Sequence, residues 1–372
     1  MWDNIIEYLK DPLLVVKVQN FFGVIYKKAS QNEETKIIYS GRHDREDYDI
    51  KQHKRIPSDS SGTSQSSYET DSSAESPEEV VCLISNSIGF VPGQGFKDII
   101  RWPRPGFPVQ KLQQKWAIEY GMPSTHAMVG VSIPFSVLLY TMDRYQYPAH
   151  WGALLAVAWC ALICLSRVYL GMHSVLDIAA GLLLSSLLLV VLIPAVDRLD
   201  SFLLTSQLSP LLVLASSVLV IVYHPQSDKW TPTRGDTTMI VSVCAGILTG
   251  AWTNYQLGNM VASSADPPYE IIWPSVEMFG TSLLRTILGF CGVLATRAIA
   301  KSVSYAFVCA LLGRDKNELR NSANSLDNKN KIIVECSYKY FTYGLIGFNT
   351  TYVFPNVFEL LLINRPTYYT EI

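Results

Sequence analysis

Charge is scarce in this chain and leans to neither sign. Only 17% of the 372 residues are Asp, Glu, Lys or Arg, and the formal net charge is −2. No basic block with interleaved aromatics occurs, so nothing argues for a nucleic-acid partner. A cysteine framework is also missing. The seven cysteines (82, 160, 164, 244, 291, 309 and 336) fall mostly inside apolar runs, and Cys160 and Cys164 are one helical turn apart, not in CxxC spacing. They read as small buried hydrophobes, implying neither a zinc site nor a disulfide scaffold. HExxH is absent, and the N-terminus lacks the apolar core and cleavage site of a signal peptide. Long hydrophobic runs are wanting from residues 1–80, which hold much of the charge.

What is present divides the chain into three parts. Residues 1–80 form a polar, largely disordered N-terminal region. Its first 30 residues are a short amphipathic stretch that reads as a membrane-surface segment or, more simply, a weakly ordered lead-in. Residues 31–79 are charged and then Ser-rich, with little to bury, a composition that suits a disordered cytosolic tract open to phosphorylation. Residues 81–200 are expected to be a catalytic membrane core, and residues 201–372 a set of further membrane helices. The fold class expected is all-α, a polytopic membrane helix bundle. Spans are expected at 126–142, 151–167, 175–195, 207–223, 237–255, 278–300 and 338–363, with a shorter apolar piece at 303–313. The apolar stretch Val80 to Gly93 is too short to cross a bilayer, and Pro92 and Gly93 are expected to end it.

Three polar clusters interrupt this apolar background. The first is KDIIRWPRP, with Lys97 and Arg104 separated by six residues and Pro105 following. The second is Pro123-Ser124-Thr125-His126. The third is SRVYLGMHSVLD, in which Ser166-Arg167 precedes His173 by five intervening residues and Asp177 follows three residues further on. If a helix starts near His173, Asp177 lies one turn up on the same face. Such a pair either orients a nucleophilic or acid–base histidine or merely caps a helix beside a snorkelling arginine. Topology favours the first. The 126–142 and 151–167 segments form a hairpin through the bilayer, so His126 and the Arg167–His173 stretch return to one membrane face, and Lys97–Arg104 joins them without a further crossing. Three cations, two histidines and one carboxylate then share a compartment. Arginine grips phosphate oxygens through its planar fork, lysine supplies a point charge, and Ser124 with the amides of its helix start adds neutral donors.

In this order and spacing the clusters resemble the type 2 phosphatidic acid phosphatase superfamily, whose pattern reads KX6RP, PSGH, SRX5HX3D. Every position matches except the glycine of the second motif, where Thr125 stands. The resemblance implies that His173 attacks phosphorus to form a phosphohistidine, that Asp177 holds its ring in the productive tautomer, and that His126 protonates the leaving alkoxide and then activates water. It further implies that Lys97, Arg104, Ser124 and Arg167 hold the phosphoryl oxygens, Thr125 adding its backbone amide. No metal or other cofactor is implied, and the neighbouring cations would repel a divalent ion. The wording around the motifs, including YGMPSTHAM and the threonine in place of glycine, is similar to the sphingosine-1-phosphate phosphatase subgroup, as are the helices continuing past the third motif. That implies a resident of the endoplasmic reticulum membrane with a luminal site, acting in sphingolipid metabolism on sphingoid base phosphates. The alternatives are another lipid, polyprenyl or sugar phosphate phosphatase of the superfamily, or a catalytically impaired chain.

The same resemblance places membrane helices just upstream of the first motif, where this chain offers only Val80 to Gly93, so Lys97 and Arg104 are expected to be poorly positioned. His43, His53, His150 and His224 have no charged context in sequence and read as solvated or loop residues. Arg297 is expected to snorkel to an interface, and Arg285 to pair with Glu277 or another helix in a structural role. The Asn349-Thr350-Thr351 sequon lies inside an apolar run and is expected to be unmodified.

Overall fold

A computed structural model describes residues 2–24, 90–113, 118–227, 231–260, 268–271, 273–313 and 329–364. The expected disordered tract at 31–79, His43, His53 and most of the 314–331 loop lie outside the described residues. Among the described residues the regular structure is helical apart from isolated bridge pairing, as expected of an all-α bundle.

The helices are α1 (Trp2–Lys10), α2 (Pro12–Phe21), α3 (90–100), α4 (Thr125–Thr141), α5 (Ala149–Tyr169), α6 (Val175–Thr205), α7 (Ser209–Val222), α8 (Thr233–Gln256), α9 (Val276–Leu311), α10 (Lys329–Phe348) and α11 (Phe354–Leu360). A π-helical turn, Asn349–Val353, links the last two. Local chemistry sets several starts. Ser124 caps α4 by accepting from the Ala127 amide, Ser275 does the same for α9 at Met278, and Asp11 followed by Pro12 opens α2. Proline at the start of α11 lacks an amide to donate, and the wide π turn just before it absorbs the break.

Helices α4, α5 and α6 pack together, α7 packs on α8, and α8 is sandwiched against α6 and α10, with α9 behind α10. The passes alternate in direction. The far end of α6 meets the far end of α8 where Trp252 Nε1 donates to the Ser206 carbonyl at 2.9 Å. The α4–α5 connection pairs with the stretch before α9 at that same end, Tyr145 against Tyr269. The α8–α10 seam is a backbone contact: a Cβ on Gly246 would lie 2.1 Å from the Gly344 carbonyl oxygen, and one on Gly347 2.3 Å from that of Val243. Only glycine permits that approach, the small-residue packing common between membrane helices.

Three helices are long and apolar enough to span a bilayer: Ala149–Tyr169, Val175–Thr205 and Val276–Leu311. Their outward faces are bare of protein, with Leu155 70%, Val190 73% and Phe279 65% exposed. Side chains this apolar are covered by lipid, and the chain is a multi-pass membrane protein. Helices lie at all seven expected positions, the others being shorter or more polar than these three. Helices α4 and α7 have 17 and 14 residues, and α8 buries Thr237, Thr238, Ser242 and Gly246 inside the bundle.

Other expectations are corrected. The 278–300 span and the 303–313 piece are one 36-residue helix, because Lys301 is a good helix former and does not interrupt it. The 338–363 span is split by the π turn. The lead-in is not loose: α1 packs on α6 and α2 on α5, burying Val15 and Gln19. Gln19 Nε2 donates to the carbonyls of Gln110 (2.7 Å) and Tyr169 (3.1 Å), and its Oε1 accepts from the Gln110 amide. Residues 80–89 lie outside the described residues; Pro92 and Gly93 do not end the stretch but lie within helix α3, which runs on to residue 100. Of the two partners expected for Arg285, the contacts seen are with the segment that ends α11: it donates to the Ile363 carbonyl (2.9 Å), and also to Ser282 Oγ within α9.

Candidate active site

The three motifs meet at one end of the bundle. Helix α3 carries Lys97 and stops at Arg101, whose positive φ of 54° turns the chain toward Arg104. Helix α4 begins with Ser124, Thr125 and His126. Helix α5 ends with Arg167, and a tight turn through Gly171 leads to His173 and the start of α6. Gly171 has φ +66°, and a Cβ there would sit 2.2 Å from the Gln110 carbonyl oxygen, so the turn presenting His173 requires glycine. Backbone bonds join the pieces: Ser124 N to Asp177 O (3.0 Å), Gly121 N to Trp102 O (2.7 Å) and Leu112 N to Leu170 O (3.1 Å).

Arg104 is the hub. Its Nη1 donates to the Met172 carbonyl at 2.7 Å and lies 3.3 Å from His173 Nε2, while its Nε donates to the Glu119 carbonyl at 3.0 Å. Lys97, expected to be poorly held, is 2% exposed, and its Nζ donates to Thr125 Oγ1 at 3.2 Å and to Glu119 Oε2 at 2.9 Å. Arg104 Nη2 reaches the same Glu119 oxygen at 3.4 Å. Thr125, the departure from the superfamily pattern, thus contributes its hydroxyl to fixing Lys97. Ser124 is fully buried, with its hydroxyl engaged as the α4 cap. Arg167 is half-buried, and its charge acts on both histidines.

His173 is buried with Nε2 toward Arg104 and Nδ1 toward Asp177, whose Oδ2 is 3.8 Å away. That oxygen also accepts from the Ser174 amide at 2.7 Å, while Ser174 Oγ accepts from the Asp177 amide. Asp177 therefore closes a capping box on α6, and the same carboxylate oxygen faces the imidazole at 3.8 Å. Nδ1 has no protein hydrogen-bond partner of normal geometry. Burial, then the charges of Arg104, Lys97 and Arg167, hold the His173 pKa well below 6.5, with a backbone contact to Gly121 opposing them. The ring is neutral at physiological pH, the form that can act as a nucleophile. Burial lowers the Arg104 pKa too, offset in part by Glu119 and Asp177, and leaves the guanidinium charged. His126 keeps an exposed edge, and partial burial, then the charges of Arg167, His173, Lys97 and Arg104, hold its pKa well below 6.5. One buried nucleophile candidate, one accessible acid–base candidate and three cations suit transfer of a phosphoryl group.

Sequence reasoning missed three contributors. Glu119, in the polar connector just before the second motif, is 6% exposed and bridges Lys97 and Arg104. Asp98, next to Lys97 but facing the other way, accepts from Thr233 Oγ1 and Thr231 Oγ1, with His224 Nε2 at 3.3 Å. Burial pushes the Asp98 carboxyl up, but hydrogen bonds to His224 and Thr233 and the His224 charge more than reverse it. His224, taken for a solvated residue, is thus a buried partner that pins α3 to the C-terminal helices. The third is Gln19, against the Gly171 turn. His150 is exposed, as the sequence suggested.

Comparison with known proteins agrees with this geometry. Residues 80–200 match the PAP2 superfamily. The chain is 39% identical to sphingosine-1-phosphate phosphatase 1 of Rattus norvegicus over 73% of its own length and 62% of the relative's. It is 37% identical to sphingosine-1-phosphate phosphatase 2 of Mus musculus over 72% of its own length and 75% of that protein's. Lipid phosphate phosphatase delta of Arabidopsis thaliana is 30% identical over 57% of this chain and 52% of the plant protein. The chain spans about three-fifths of the rat relative's length. No solved structure matches it. By motifs, site geometry and relatives alike, the chain belongs to the sphingosine-1-phosphate phosphatase family of the PAP2 superfamily.

Proposed function

We propose that this chain hydrolyses sphingosine 1-phosphate and related sphingoid base phosphates to the free base and phosphate, without a metal. The observation that carries the reading is the placement of His173 Nε2 3.3 Å from Arg104 Nη1, beside Lys97 and within the field of Arg167. A phosphate gripped by those cations puts phosphorus in reach of a neutral imidazole nitrogen. Nε2 donates its electron pair to phosphorus, and the bond from phosphorus to the sphingoid oxygen breaks as His126, protonated once the phosphate dianion offsets the cations that depress its pKa, gives that oxygen a proton. The imidazole becomes positive as the bond forms, and Asp177 Oδ2, 3.8 Å from Nδ1, stabilises it. His126 then takes a proton from water, water oxygen bonds to phosphorus, and the phosphorus–nitrogen bond breaks to release phosphate. Lys97, Arg104, Arg167, the Ser124 hydroxyl and the Thr125 amide at the α4 start balance the phosphoryl charge throughout.

The reading extends to place: an endoplasmic reticulum membrane with the motif-bearing end facing the lumen, supported by the relatives' resemblance and by the convergence of all three motifs on one end of the bundle. A sequon engineered into the 106–113 loop should be glycosylated in cells if that end is luminal; glycosylation only of one placed in the α4–α5 connection would reverse the orientation.

Purified chain in lipid should release phosphate from sphingosine 1-phosphate in a vanadate-sensitive reaction that His173→Ala abolishes. Equal turnover of phosphatidate or glucose 6-phosphate would overturn the sphingoid assignment, and phosphate release surviving His173→Ala would overturn the mechanism.

A further inference from the structure

Glu119 is at odds with a site built to hold an anion. Its side chain is 7% exposed, and one carboxylate oxygen lies 2.9 Å from Lys97 Nζ and 3.4 Å from Arg104 Nη2, the two cations of the first motif. A phosphate entering between these cations arrives beside a buried negative group, and like charges that close strongly oppose each other. A second carboxylate, Asp236 at the start of α8, is within electrostatic reach of Glu119 and of Lys97. Asp236 also feels Lys339 and Glu335 of α10, which pair with each other at 2.9 Å, so the negative group that faces Lys97 and Arg104 directly is Glu119.

Sphingoid base phosphates differ from glycerolipid phosphates in one group that resolves this conflict. They carry an ammonium two carbons from the phosphate ester oxygen, so anion and cation enter the site together. We infer that Glu119 is the specificity-determining residue that recognises the substrate's ammonium: it penalises a phosphate monoester that brings no positive charge and forms an ion pair with one that does. This rests on the hydrolytic reading above. When substrate binds, the phosphate takes over Lys97 and Arg104, and the carboxylate they release turns to the adjacent ammonium. The charge count of the site is preserved, and discrimination comes from the mismatched ligand leaving Glu119 buried and uncompensated.

The test compares two substrates with the same phosphate and tail, sphingosine 1-phosphate and its N-acetyl counterpart, in which an uncharged amide replaces the ammonium. The full chain in lipid should favour the amine in kcat/KM by at least about tenfold, the scale of one discriminating polar contact. Glu119→Gln should bring the two within about twofold, chiefly by raising KM for the amine while sparing the amide. Equal turnover of both by wild type would overturn the inference, as would a Glu119→Gln enzyme with the ratio unchanged and both rates reduced alike, the mark of a purely positioning role. If Glu119→Gln is inactive, Glu119→Asp decides: the shorter carboxylate should lower kcat/KM for the amine more than for the amide and so shrink the ratio, whereas an unchanged ratio with both rates reduced alike overturns the inference. A wild-type chain that hydrolyses neither compound refutes the hydrolytic reading itself; hydrolysis without discrimination refutes only the role of Glu119.

Discussion

The two halves of the bundle are held by different forces. In the motif-bearing half, α3 to α6, the polar groups are dense and long-range: Arg104 alone contacts Glu119, Met172 and His173, and backbone bonds tie the connectors to the turn before α6. In the C-terminal half, α8 and α10 meet backbone to backbone at Gly246 and Gly347. The first arrangement fixes directions and charges, because each hydrogen bond has a required angle. The second fixes distance, because dispersion rewards close approach in any rotation that allows it. Asp98 joins the two, one residue from the first-motif lysine, Lys97, and bonded to α8 and to the connection before it. Changes in the first half should therefore cost rate with little loss of fold, and changes in the second should cost fold first.

The largest effect expected is at His173. His173→Ala should lower kcat by about a thousandfold or more while leaving the thermal midpoint in lipid within a few degrees, measured by phosphate release and by melting of the same preparation. The pH profile sharpens this. Because the folded pKa of His173 lies below 6.5, the ring stays neutral as pH falls through 6.5, and activity limited by its protonation should decline only at lower pH. Stability moves differently. Below pH 6.5 the unfolded chain takes up the proton first, so the folded state loses stability progressively down to the depressed pKa.

Next in size is Gly246→Val, which forces α8 from α10 and should cost about 3 kcal/mol or more of stability, seen as a lower melting temperature or as aggregation on extraction. Surviving folded protein should keep near-normal KM. Asp98→Asn tests the junction. It weakens the bonds to His224 and Thr233, lets α3 shift, and should reduce kcat/KM by about ten- to a hundredfold through misplacement of Lys97. A fall in stability with no change in turnover would show that α3 needs no support from α8. The smallest effect is Gln19→Ala, which leaves the Gln110 and Tyr169 carbonyls short of a donor and should cost about 1–2 kcal/mol. Its reading is the rate of inactivation on mild heating.

These contrasts also explain what the sequence could say. The motif residues were legible because their chemistry is unusual against an apolar background and their spacing is fixed by the helices that carry them. The hairpin of α4 and α5 followed from length and hydropathy, and it brought the motifs to one end, as the backbone bond between Ser124 and Asp177 bears out. Glu119, His224 and Gln19 were not legible. Their partners lie 22, 126 and 150 residues away, and nothing periodic marks one acid in a connector or one amide in a short amphipathic helix. The break expected between 300 and 303 is not there: Lys301 sits inside a continuous helix, since a long aliphatic stem can carry its ammonium clear of an apolar face.

Helix α9 has a mechanical consequence. At about 1.5 Å per residue its 36 residues measure about 54 Å, against a hydrocarbon layer of about 30 Å. Upright, it would overhang the layer by some four turns, and leaning far enough to stay within it would splay it from the bundle axis. Membrane thickness therefore sets the slope of a strut that bears on α10 along its length, and α10 bears on α8. A thicker or thinner membrane loads that seam like a lever, making the bundle sensitive to the lipids around it.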